Sequence, residues 1–182
     1  MKRIFVIGTL LTAALLAQTG GIIDYAADGS MSLPKDYRQW VFLSSGINMT
    51  YGLMAGDAAN PRFENVFVNP AAYAAFLKTG KWPGKTAMIL EIRASDSKVS
   101  INKDGRVQTG VVAIEAHIKD ASRGGWAFYG FHDNPTRGAL FPKTADCYSC
   151  HEKNGSVDTT FVQFYPTLID PAKQHNTYHA TE

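Results

Sequence analysis

The sequence predicts a mainly β protein, an antiparallel sheet with a few short helices. Three observations carry this. Phe63–Val68 is dense in β-branched and aromatic residues. Two later stretches, from Thr86 to Arg93 and from Val112 to Lys119, alternate with a period of two. The connections between such stretches are short, and short connections join antiparallel neighbours.

Ser32-Leu33-Pro34-Lys35-Asp36-Tyr37 reads as the opening of a short helix, with a hydroxyl residue ahead of a proline and an acid in the first turn. Phe63–Val68 is the first strand. Asn69-Pro70 starts a helix through Ala71–Leu77, and Gly80 ends it. In the strand from Thr86 to Arg93, Met88, Leu90 and Ile92 share one face, and Ala87, Ile89, Glu91 and Arg93 the other. Lys103-Asp104-Gly105 marks a turn. Val112, Ile114, Ala116 and Ile118 then alternate with Ala113, Glu115, His117 and Lys119, the pattern of a half-buried strand. Gly124-Gly125 turns the chain into a further strand, Trp126–Phe131. The stretch from Asp170 to Glu182 is polar and reads as a fraying end.

The 182 residues are 45% hydrophobic and 19% charged, the balance of one globular domain. The formal net charge is +2, and Lys2 and Arg3 account for that excess. They precede an apolar run from Ile4 to Leu16 broken only by Gly8, Thr9 and Thr12. A short positive segment and about a dozen apolar residues form a secretory signal peptide, here residues 1–20, with possible cuts after Ala17 or near Gly20 or Ala27. The run is short for a membrane span, although an uncleaved anchor is the competing reading. Residues 21–182 are then a single, nearly neutral, exported domain. It has no basic stripe for nucleic acid and no polybasic membrane patch.

The chemistry is concentrated in Cys147-Tyr148-Ser149-Cys150-His151, which holds the only two cysteines of the chain. C-x-x-C-H is the attachment signature of a c-type haem. On a helical turn, residues three and four apart point the same way. Both thiols then reach the two vinyl groups of one porphyrin, and His151 is left under the iron as its axial ligand. Covalent haem of this kind belongs outside the cytoplasm, in agreement with the leader. Competing readings are a Cys147–Cys150 disulfide, a zinc site needing two ligands from His117, His132, His175 or His179, and a thioredoxin-like pair.

The opposite side of the iron decides the function. An electron carrier closes it with methionine or histidine. No methionine follows the haem motif, and Met49, Met54 and Met88 upstream suit core packing. His117 falls on the polar face of its strand, the position of a solvated histidine. His132 lies by a turn, and His175 and His179 lie in the tail. The iron is therefore read as five-coordinate.

Several motifs occur together and in order: Leu33-Pro34-Lys35-Asp36-Tyr37-Arg38-Gln39-Trp40-Val41, Val66-Phe67-Val68-Asn69-Pro70, Gly125-Trp126-Ala127-Phe128-Tyr129, and the late haem motif followed by Phe164-Tyr165-Pro166. As a set they resemble the cytochrome P-460 family, over about Leu33 to Leu168. The resemblance implies a mainly antiparallel β subunit, usually in a homodimer. In one branch of the family a lysine amine bonds the porphyrin edge, and hydroxylamine and nitric oxide are oxidised. The matching position here is Leu90, in Leu90-Glu91-Ile92, and leucine cannot form that bond. Lys78, Lys81 and Lys85 would serve only in a shifted register. Glu64 stands near where those enzymes have an arginine. The other branch, the cytochromes c′-beta, lacks the cross-link and caps the iron with apolar side chains. The resemblance makes Phe63 the candidate cap and Leu90 its neighbour, with ordinary core packing as the alternative for Phe63.

The sequence thus points to a periplasmic c-type cytochrome with an apolar pocket that binds nitric oxide and carbon monoxide, gases that stay nearly neutral when bound. Its partners would be the gas, a second copy of the chain and a periplasmic electron donor or acceptor. Hydroxylamine or nitric oxide oxidation is the enzymatic alternative and needs the cross-link or another proton acceptor, for which Glu64 and Glu115 are the acidic candidates, with surface or structural roles as the favoured reading of both. Electron transfer is the third reading.

Overall fold

The computed structural model describes residues 22–51 and 56–180. The proposed signal peptide and Met54 lie outside the described residues. Seven strands form one antiparallel sheet: β1 (Met31–Ser32), β2 (Val41–Ile47), β3 (Phe63–Val68), β4 (Ala87–Asp96), β5 (Val107–Asp120), β6 (Gly125–Gly130) and β7 (Arg137–Leu140). Their order across the sheet is β1-β7-β6-β5-β4-β3-β2. From β2 to β7 every strand pairs with its sequence neighbour, so short connections suffice. Three helices complete the fold: α1 (Pro70–Thr79), α2 (Asp146–Asn154) and α3 (Pro166–Gln174). No helix among the described residues is long and apolar enough to cross a membrane.

Both faces of the sheet are covered. On one, Ile89, Ile118, Ala127 and Tyr129 pack with Tyr37 and Met31 from the chain before β2. On the other, Val68 and Met88 pack with Phe76 of α1, Trp82, and Leu168 and Ala172 of α3. β4 shows how the sequence serves both. Ala87 and Ile89 enter the first core and Met88 the second, as the alternation of side chains requires.

Several predicted elements take a different form. Ser32 lies in β1, and the helix expected at Ser32–Tyr37 is a single 3-10 turn, Tyr37–Gln39. That turn serves to bury Tyr37, whose hydroxyl donates to the carboxylate of Glu91. Glu91 also pairs with Arg38 and Arg93, so a buried acid on a core strand has three donors. The strand expected over Thr86–Arg93 runs on to Asp96. The tail does not fray within the described residues. Ala172 is fully buried, the His179 amide donates to Ser156, and the Thr177 hydroxyl donates to the Gly80 carbonyl.

α1 begins and ends where its sequence says. Pro70 fills the first turn, where no N–H is needed, and the Asn69 side chain accepts from the Ala87 amide of β4. Gly80 closes the helix at φ 65°, with its amide bonded to Phe76 O. A Cβ there would lie 2.5 Å from His175 Cβ and 2.7 Å from Thr177 Oγ1. Gly80→Ala therefore meets both backbone strain and a clash with the end of α3. We expect it to cost about 1–3 kcal/mol, read as a lower urea midpoint with unchanged slope.

Candidate functional site

α2 carries the motif on one face. Cys147, Cys150 and His151 all line a single cavity of about 610 Å³. That volume is in the range of cofactor sites. Both thiols are free, so the Cys147–Cys150 disulfide reading does not describe this structure. The helix is tied to the sheet by Tyr148, whose hydroxyl accepts from the Phe128 amide of β6 and donates to the Phe141 carbonyl.

His151 is held in one orientation. Its Nδ1 lies 2.8 Å from the Thr159 carbonyl, which leaves Nε2 as the free nitrogen. Thr159 and Asp158 sit at φ 61° and 47°, left-handed backbone that a β-branched threonine seldom adopts. Trp82 Nε1 donates to Thr160 Oγ1 at 2.9 Å and pins the next residue. Strain of about 1–3 kcal/mol per residue is thus held at the carbonyl that orients His151. Around the imidazole stand Phe161, Phe128 and His117, with ring centres 4.3, 4.6 and 4.7 Å from it. Burial lowers the His151 pKa, which favours the neutral, metal-binding form.

Sheet register builds the wall of the cavity. One row runs from Ser44 of β2 through Val66 and Leu90 to Glu115 of β5. The next row runs through Met88, His117 and Phe128. All of these residues line the cavity. Leu90 therefore lines the same cavity as Cys147, Cys150 and His151.

Phe63 does not line the cavity. Glu64 and Val66 do, so alternation along β3 turns Phe63 to the opposite face with Phe67, which packs on the first core. Phe63 thus does not stand beside Leu90 in the cavity as the expected cap, and Phe161, Phe164 and Met49 are among the apolar residues that line it.

The wall is not purely apolar. Glu64 and Glu115 both line it, and burial raises both pKa values. Tyr51 Oη donates to Glu64 at 3.3 Å, and His132 Nε2 lies 3.7 Å from Glu115 Oε1. Surface or structural roles for the two acids give way to places in the cavity.

His117 corrects the expectation further. It is 7% exposed, stacked on Phe128 with ring centres 4.0 Å apart, and burial drives its pKa far down. It is a buried neutral imidazole and not a solvated one, because the second face of the sheet is covered. Thr159, Phe161 and Tyr51 carried no sequence signal, since loops bring them in.

The residues fit a haem. Two free thiols and an oriented imidazole share one cavity, whose other walls offer mostly apolar surface. No group of three or more His, Cys, Asp or Glu suited to a metal ion occurs among the described residues, so the zinc reading finds no ligand set there.

The sequence model of the cytochrome P460 family matches residues 34–162. The chain belongs to the cytochrome P460 family. The match covers β2 to β7, α2 and the turn that holds His151. Membership implies a haem cofactor, the group that the donors of α2 and the cavity suit. No curated protein matches the chain.

Proposed function

We propose that the chain carries one haem c, bonded through Cys147 and Cys150, with His151 on the iron. The iron would bind nitric oxide or carbon monoxide, in the manner of the c′-beta branch. The observation that carries this reading is Leu90. It lines the same cavity as the three haem residues, at the position where the resemblance puts a cross-linking lysine. No lysine is among the described residues that line the cavity. Lys85 is engaged with Asp120, away from it.

The haem supplies an iron that binds diatomic gases. The protein supplies selection. Leu90, Val66 and Met88 offer no hydrogen bond to a ligand that gathers negative charge, so nearly neutral gases are favoured over dioxygen. The carboxylates of Glu64 and Glu115 disfavour anions when ionised. Export to the periplasm, read from the leader, belongs to the same proposal. Titration of the ferrous protein with nitric oxide tests it. One equivalent per chain should change the optical spectrum, and hydroxylamine with an electron acceptor should give little turnover.

Glu64 and Glu115 favour a second reading, oxidation of hydroxylamine or nitric oxide with one of them accepting protons. Rapid hydroxylamine turnover, lost in Glu115→Gln, would establish that reading in place of the first.

A further inference from the structure

The turn that orients His151 has a sequence that does not favour it. The Val157 amide donates to the Thr160 carbonyl at 3.3 Å, and the Thr160 amide donates back to the Val157 carbonyl at 2.8 Å. Both residues between them, Asp158 and Thr159, have positive φ, 47° and 61°. That is the pattern of a type I′ turn, which Asp158 suits and a β-branched Thr159 does not. The Thr159 carbonyl bonded to His151 Nδ1 belongs to this turn. The turn lies directly on the end of α2. A Cβ at Gly155 would be 2.6 Å from the Thr159 carbonyl carbon. Contacts from outside the turn must therefore hold it in place.

Two side chains supply them. Trp82 Nε1 donates to Thr160 Oγ1 and fixes the end of the turn. Lys119 of β5 fixes its middle. Its Nζ donates to Asp158 Oδ2 at 2.6 Å and to the Trp82 carbonyl at 2.8 Å. One ammonium thus ties the turn to the sheet and to the segment that carries Trp82. A fully exposed ion pair holds little. Here the two side chains are only 30% and 38% exposed, and the pair acts on backbone that strain pushes to open.

We propose that Lys119 is a positioning residue for the iron ligand. By holding Asp158 it keeps the Thr159 carbonyl on the His151 Nδ1–H. The proposal rests on His151 being the axial ligand. A hydrogen bond donated from Nδ1 makes an imidazole a stronger ligand. It strengthens the bond to iron and favours the ferric state. Lys119, which does not line the cavity, would set both.

The test uses the ferrous holoprotein without gas. Resonance Raman reads the stretch of the iron–His151 bond, and a redox titration reads the reduction potential. Lys119→Met keeps the length of the side chain and removes its charge. It should lower the stretching frequency and raise the potential. Loss of a positive charge acting only through space would lower the potential, so the sign separates the two effects. Lys119→Arg should keep both wild-type values. Asp158→Asn with Thr159→Gly gives the turn a sequence that adopts it unaided. That pair should keep the wild-type frequency without the ion pair, and adding Lys119→Met to it should change the frequency no further. The combined variant also answers the question where Lys119→Met alone does not fold. An unchanged frequency or a lowered potential in Lys119→Met, or a frequency that still falls in the combined variant, would overturn the proposal. Absence of the stretching band from the wild type would instead overturn the five-coordinate functional reading. The clamp is then read in a diamagnetic ferrous form, where Lys119→Met should speed exchange of the His151 Nδ1 proton. Equal exchange in the two proteins would overturn it.

Discussion

Replacing Cys147 and Cys150 together by serine is expected to abolish covalent haem attachment. Both thiols lie on one face of α2 and line the cavity that suits the group. Serine keeps the size and loses the sulfur nucleophile that a thioether needs. The peroxidase stain for haem on a denaturing gel should vanish, and acidified organic solvent should extract any haem still bound. A single Cys147→Ser variant should keep a reduced stain through Cys150. Full staining of the double variant would mean that the haem is bonded elsewhere, and the assignment of α2 would fall.

Glu91→Ala should have the largest effect on stability. The carboxylate is 2% exposed and receives Tyr37, Arg38 and Arg93. Removing it strands a buried tyrosine hydroxyl and the half-buried Arg93. Breaking a buried ionic network in this way costs about 3–5 kcal/mol. For a chain of this size that is a fall in Tm of roughly 10 °C, measurable by calorimetry. The pH dependence gives a second check. Burial alone would raise the Glu91 pKa, but the bonds from Tyr37, Arg93 and Arg38 outweigh it and hold the value below the ordinary 4.5. A depressed folded value means stability that is present above the unfolded pKa and lost as pH falls through the folded one. Wild-type stability should therefore decline below about pH 4.5, and Glu91→Gln should show a shallower decline.

How much of this was readable in the sequence depends on the range of the interactions involved. That Cys147, Cys150 and His151 share one face of a helix was legible because the chemistry proposed for them needs local spacing, three and four residues along one turn. Phe63–Val68 and Pro70–Thr79 were legible for the same reason: propensity, a proline start and a glycine stop are local signals. His117 was misplaced because a period of two separates faces without saying what covers them. Here α1, α3 and the cavity cover the second face, so a histidine on the polar side of the pattern is buried. Phe63 failed for a related reason. The resemblance suggested a phenylalanine cap near that point, but register against β4 sets the direction of each side chain. β2 has strand formers in Val41, Phe42 and Ile47, but Ser44-Ser45-Gly46 interrupts them and breaks the alternation. Pairing with β3 carries the strand through that interruption. The tail holds because Ala172 and Tyr178 pack on the second core, a contact that composition does not reveal.

The central claim is a haem whose only protein ligand to iron is His151. The spin state of the resting ferrous protein tests it most directly, by optical and magnetic circular dichroism spectra before any gas is added. The account predicts a high-spin, five-coordinate iron with an ordinary c-haem Soret band. A low-spin spectrum, lost on replacing Met49 or Met88, which both line the cavity, would contradict it and make the protein an electron carrier. A strongly red-shifted Soret band would contradict it too, because it would mean a cross-linked porphyrin in spite of Leu90.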